Sequence, residues 1–245
     1  MLAYPVRRVR GAGIVNYRNR GLVNVIDVGS AGLLPEPWLT HAPRIANLLK
    51  FEPRDTATTT RRVRTVSSAL WSRDEVRDFY IYRGLRGSGS SMFRQNVEYV
   101  MENFDELRQH GSPELAETWL DRSQVERVEP IRCTTLDRVL EEIVDVNYHF
   151  LKIDAQGAEQ EILLGAEGFL AEDCLGLHLE LFTLPLYKGT ALQDDVISYL
   201  AGRGFRLVKR FPPHGSFDSQ NDCLFLREGV ETREVEGIRL VYGLT

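Results

Sequence analysis

The sequence predicts an α/β fold: a doubly wound, mostly parallel seven-stranded sheet with a closing antiparallel strand. Three observations predict it. Short apolar runs of strand length alternate with segments of helical periodicity, which is the signature of βαβ units. The last two strand-like runs follow one another with no helix between them, as a closing antiparallel pair does. A chain of 245 residues that is 43% hydrophobic can bury one sizeable core.

The first strand is read at residues 22–28 and ends at Gly29-Ser30-Ala31-Gly32. A helix is expected after the Pro35-Glu36-Pro37-Trp38 turn, then a second strand at 48–51 and a third at 62–67. Residues 77–82 alternate as a short hairpin strand would, and the Gly/Ser stretch at 84–91 reads as a loop. Residues 93–107 read as helix, and the stretch to 129 has no clear period. Thr134 with Asp137 resembles a capping box, opening a helix that buries Leu136, Val139, Leu140 and Ile143. A strand at 148–153 ends on Asp154, and Gly157 opens a helix with Ala158, Ile162, Leu163, Ala166 and Phe169 turned inward. A strand at 175–182, a helix marked by Leu192, Val196, Ile197 and Leu200, and strands at 205–211 and 223–226 complete the layout. Residues 1–20 form a basic N-terminal extension, 21–230 the folded domain with 83–130 as a candidate substrate-recognition insertion, and 231–245 a C-terminal tail.

A net charge of −5 argues against a nucleic-acid partner. Arg7, Arg8, Arg10, Arg18 and Arg20 read first as a solvated face, and second as a patch for an acidic membrane surface or an anionic substrate. No run approaches the roughly 20 apolar residues of a transmembrane helix, and the first residues lead into arginines, so a cytoplasmic protein is expected. Cys133, Cys174 and Cys223 are odd in number and far apart, which fits reduced thiols and no zinc pairing. His41, His110, His149 and His214 show no metal-ligand spacing, so no metal is expected.

Three segments carry chemistry. The run Val25-Ile26-Asp27-Val28-Gly29-Ser30-Ala31-Gly32 sits where a first parallel strand gives way to its connection, the place where open α/β sheets bind ligands. Glycine there admits close approach to the backbone, although a plain strand-to-helix turn would read the same. Glu52, in Phe51-Glu52-Pro53, follows Asp27 by one strand-to-strand unit, and a carboxylate there can accept both hydrogen bonds of a ribose diol. In Phe150-Leu151-Lys152-Ile153-Asp154 the two polar side chains fall on one side of the strand, with Asp154 at its carboxyl end. The alternative reading of Lys152 is a carboxylate pair that only stabilises the sheet. The spacing after Gly29 does not supply the phosphate cradle of a dinucleotide fold. S-adenosyl-L-methionine (SAM) carries no phosphate, and its cationic groups suit an acidic surround such as Asp27.

These blocks, with Ser68-Ala69-Leu70, Thr135-Leu136-Asp137, Ala155-Gln156-Gly157-Ala158-Glu159 and Leu164-Gly165-Ala166, resemble the FkbM family of SAM-dependent methyltransferases over residues 22–228. That family usually has Lys-Ile-Asp-Val-Glu-Gly-Ala-Glu, from which Ala155 and Gln156 depart; Gly32 and Leu33 depart from its usual glycine spacing. The resemblance implies a class I, Rossmann-like methyltransferase domain that methylates a hydroxyl of a sugar, glycan or natural product. It implies that Asp27, Gly29, Ser30 and Gly32 line the methionine end of SAM, with Asp154 beside them. Glu52, next to Pro53, would hold the ribose, and Ala69 and Leu70 would flank the adenine.

Methylating an alcohol calls for a base or a metal as the methyl moves. Asp154 is the first candidate, followed by Glu180 and then His178 on the next strand. Arg86, Ser88, Ser90, Ser91 and Asn96 could hydrogen-bond a polyhydroxylated acceptor, with the loop at 212–221 as another wall. The expected partners are thus SAM, a small-molecule or glycan acceptor and, for an assembly, a homodimer. Two other readings stay open: a non-catalytic Rossmann-like binding module and an N-methyltransferase.

Overall fold

Parallel strands must reach their neighbours through crossovers, and here those crossovers set where the ligand crevice falls. The structure is a computed structural model that describes residues 22–29, 34–84 and 88–244. Its strands are β1 (Val23–Val28), β2 (Ile45–Phe51), β3 (Thr58–Thr59), β4 (Val63–Val66), β5 (Ala69–Leu70), β6 (Glu75–Tyr82), β7 (Val125–Thr134), β8 (Phe150–Ile153), β9 (Gly176–Phe182), β10 (Phe205–Arg210) and β11 (Gln220–Arg227). The helices are α1 (Val97–Glu102), α2 (Phe104–Leu107), α3 (Pro113–Glu117), α4 (Trp119–Arg122), α5 (Leu136–Glu142), α6 (Glu159–Leu164), α7 (Glu167–Glu172), α8 (Gln193–Ala201) and α9 (Arg233–Val241).

The main sheet has eight strands in the order β10-β11-β9-β8-β1-β2-β4-β3. It is mixed, which corrects the expectation of a mostly parallel seven-stranded sheet. β9, β8, β1, β2 and β4 run parallel, but β3 folds back onto β4, and β11 inserts antiparallel between β9 and β10. From β1 the chain moves outward through β2 to β4, then returns to the other side of β1 as β8. The strand order therefore reverses between β1 and β8, and a crevice opens there beyond Gly29 and Asp154.

Alternation along these strands separates two cores. One face carries Ile26, Leu49, Leu151, Leu177 and Phe225 and meets Ile162, Leu163, Phe169 and Leu200 from the helices. The other carries Val25, Phe150 and Leu224 under Trp38, Ile238 and Tyr242. Residues 231–244 are therefore built into the second core through α9 and Tyr242.

Between β4 and β8 lies a second sheet, β5-β7-β6, in which β6 and β7 pair antiparallel. The expected short hairpin at 77–82 is one arm of this ribbon; its other arm is the stretch that showed no period. The helix expected at 93–107 is two short helices, α1 and α2, and only a 3-10 turn at Ala42–Arg44 follows Pro35. The cap of α5 is shifted by one residue: Thr135, not Thr134, accepts the backbone N–H of Arg138. Asp137 instead accepts the N–H groups of Gly168 and Phe169 and ties α5 to α7. No helix among the described residues is long and apolar enough to cross a membrane.

Candidate active site

Two clefts meet at the carboxyl ends of β1, β8 and β9. The first, about 240 Å³, is lined by Gly29, Glu52, Pro53, Ala69, Leu70 and Asp154, among others. Phe51, Phe79, Met92 and Ile162 make much of its wall apolar. The second, also about 240 Å³, shares Ser88, Gly89 and Gln156 with the first.

Gly29 has φ +79°, and a Cβ there would sit 1.8 Å from the carbonyl oxygen of Asp154. Its bareness thus lets β1 and β8 end side by side, and Gly29 also lines the first cleft. Asp27 is fully buried and is not among the lining residues of either cleft. Its Oδ1 lies 3.5 Å from Lys152 Nζ, which lies 3.5 Å from Asp154 Oδ2 on its other side. Burial alone would discharge this lysine; the flanking Asp154, Asp27 and Glu180 outweigh burial and hold its pKa above the ordinary value. Asp27 therefore reaches the cleft through Lys152, which anchors Asp154.

Glu52, just past the end of β2, is buried and lines the first cleft; Arg54 N–H donates to its Oε1 (3.1 Å), and Arg54 Nε lies 3.5 Å from the same oxygen. Gln156, the residue that departs from the family pattern, holds a left-handed backbone (φ 51°) and sits between two acids. Its Nε2 donates to Asp154 Oδ1 (3.0 Å) and to Glu180 Oε2 (2.7 Å). Gln220 Nε2 donates to the same Glu180 oxygen (2.7 Å). Burial, with Asp154, Glu159 and Asp222 nearby, pushes the Glu180 carboxyl well above its ordinary value. Its other oxygen is 3.9 Å from His214 Nε2, which is 3.3 Å from Asp222 Oδ2.

Neither Glu180 nor His178 is among the lining residues of the two clefts; Glu180 is joined to the second only through Gln156 and Gln220. Trp38 Nε1 donates to the Tyr242 hydroxyl (2.9 Å), which leaves that hydroxyl's proton for His178 Nδ1 (2.8 Å). Its Nε2–H then donates to Asp222 Oδ1 (3.0 Å), so both ring nitrogens are used. Asp222, despite its burial, is held well below the usual carboxylate range by the hydrogen bond from His178 and by His214 beside it.

Ser88 and Ser90 line the first cleft. Ser91 is structural: its hydroxyl donates to the Gln156 carbonyl (2.6 Å). Asn96 lines neither cleft, and its amide donates to the Pro185 carbonyl (3.1 Å). Ser30, Gly32 and Arg86 lie outside the described residues, as does the basic stretch at 1–20. The sequence reading placed His214 and Gln220 only in a wall at 212–221, without a role, and missed Asp222 and Arg122. Alternation in β11 puts Asp222 opposite Glu180, a signal visible only once the β9–β11 pairing is known. No cluster of His, Cys, Asp and Glu suited to a metal ion occurs among the described residues.

The model of the methyltransferase FkbM domain matches residues 48–207. The chain belongs to this family. Comparison with the curated proteins finds no match. Among solved structures, the chain is similar to a methyltransferase FkbM from Methylobacillus flagellatus KT, at 11% identity and a TM-score of 0.45. The similarity covers 84% of this chain and 44% of that one, so this FkbM-domain chain spans less than half the length of that protein. The FkbM match includes β2, with Glu52, and β8 and β9, with Asp154 and Glu180.

Proposed function

We propose that the protein is a SAM-dependent O-methyltransferase acting on a hydroxyl of a sugar, glycan or natural-product acceptor. The observation that carries this reading is the first cleft, lined by Glu52 and Asp154 beyond the ends of two parallel strands, with Gln156 joining Asp154 to the largely buried Glu180.

The residues that line the first cleft support SAM as its ligand. Glu52 would accept hydrogen bonds from the ribose hydroxyls, and Ala69, Leu70, Phe79 and Met92 would enclose the adenine. Gly29 and Asp154 would border the methionine end. When bound, SAM supplies an electrophilic methyl on a sulfonium, and the C–S electron pair returns to sulfur as the new O–C bond forms.

The chain's own residues do the rest. Glu180, whose nearest hydrogen-bond partners are neutral amides, accepts the hydroxyl proton. Asp154, paired to Lys152, serves to orient the acceptor oxygen.

The test is transfer of labelled methyl from SAM to a panel of hydroxyl and amine acceptors. Label is expected in hydroxyl acceptors, with Glu180→Gln lowering kcat about 100-fold or more while SAM affinity stays within about twofold. Because the base must be deprotonated, the rate should climb with pH through the raised Glu180 pKa, and this limb should vanish in the variant. Methylation confined to amines, or an unaffected Glu180→Gln, contradicts the reading.

A further inference from the structure

The second cleft contains a cation with no anion to match. Arg122, at the end of α4, lines it and is half-buried. Its Nε donates to Thr118 Oγ1 (3.0 Å), and one Nη donates to the Leu115 carbonyl (2.6 Å) and Ser216 Oγ (3.0 Å). All three partners are neutral. Among the described residues no carboxylate lies within ion-pair distance of Arg122, and the residues outside the description include no Asp or Glu. Its other Nη has no described hydrogen-bond partner. Burial lowers the Arg122 pKa, as expected of a desolvated charge without a counter-ion.

Two further polar atoms wait in the same cleft. Ser219 is fully buried and its Oγ makes no hydrogen bond; Gln95 Oε1 is buried and equally unpartnered. Buried polar atoms are normally satisfied, and those facing a cleft are satisfied by what fills it. Trp119, Phe182 and Leu186 supply apolar wall beside them. Gln156 and Gln220, which hold Glu180, line the cleft as well.

We propose that this cleft seats the methyl acceptor through an anionic group, a carboxylate or a phosphate, gripped by Arg122. The planar guanidinium fork matches either group. Ser219 Oγ and Gln95 Oε1 then take hydroxyl partners, and the apolar wall covers the carbon skeleton. The acceptor class narrows to a hydroxylated molecule bearing an acid: a sugar acid, a sugar phosphate or a comparable natural product. This inference rests on the methyl-transfer reading above.

The test is calorimetric titration of the full chain, saturated with S-adenosylhomocysteine, using glucuronate, glucose 6-phosphate and glucose as probes. At least one anion should bind about tenfold or more tightly than glucose. A preference for glucuronate identifies the carboxylate, and one for glucose 6-phosphate the phosphate. Arg122→Gln should abolish that preference and leave S-adenosylhomocysteine affinity within about twofold. Should Arg122→Gln fail to fold, Arg122→Lys keeps the charge without the fork and should weaken the anion severalfold with glucose unchanged. Equal binding of all three probes, no binding of either anion, or selectivity that survives both variants overturns the proposal. If the wild-type chain does not bind S-adenosylhomocysteine at all, it is the methyl-transfer reading that fails.

Discussion

Glu159, beneath the site at the start of α6, is buried and accepts the Ala155 N–H at 2.8 Å. Burial raises its carboxyl to about 7 from an ordinary 4.5. A raised folded-state pKa means that the native chain holds this proton more tightly than the unfolded one. The associated stability is present below about pH 4.5, is lost as pH rises to about 7, and stays lost above it. The difference across that window is on the order of 3 kcal/mol. Glu159→Gln keeps an acceptor for Ala155 and removes the titration. Denaturant unfolding at pH 5 and pH 8 should show the wild type weakening between them and the variant, in which Glu180 still titrates, weakening less; parallel losses would contradict the assignment.

At the scale of elements, two glycines set how closely segments approach. A Cβ at Gly165 would lie 2.0 Å from the Trp71 carbonyl oxygen, so the end of α6 is packed on the segment after β5. At Gly29 the obstruction is the Asp154 backbone, and the positive φ adds strain for any other residue. Gly29→Ala should destabilise the fold by about 3 kcal/mol or more, read by urea unfolding. A change below about 1 kcal/mol would show that β1 and β8 can part at little cost. Seven of the eight strands legible in the sequence are in the main sheet, because each carries enough apolar residues for its period or burial to show; the other, at 77–82, is β6 of the second sheet. The main sheet's remaining strand, Thr58–Thr59, is exposed and two residues long, so no pattern could reveal it. β7 was opaque because most of its residues are exposed or half-buried on both faces. The candidate cleft was legible where strand ends carry it, at Glu52 and Asp154. The roles of His214, in a loop, and Gln220, at the start of β11, were hidden until β11 was paired with β9, and Arg122 on its short helix was hidden altogether. His178 shares a strand face with Glu180 but lies two residues earlier, under α9, where Tyr242 and Asp222 occupy it.

For the molecule as a whole, α9 closes the face of the sheet opposite the larger core. The Tyr242 hydroxyl is its polar clasp, bonded to Trp38 and His178. Tyr242→Phe would leave two buried nitrogens unpaired and should cost about 2 kcal/mol or more in denaturant unfolding, with SAM affinity retained. A neutral result would mean that water or a shifted side chain replaces the hydroxyl. Above that closed face, the β1–β8 switch point and the end of β2 define the crevice on which the functional reading depends. Calorimetric titration of SAM into the wild-type chain and Glu52→Ala tests it most directly. The account predicts one SAM per chain for the wild type and an affinity about tenfold or more weaker in the variant, whose melting temperature in the absence of SAM is little changed. Absence of binding to the wild type, or equal affinity in the two proteins, would contradict it.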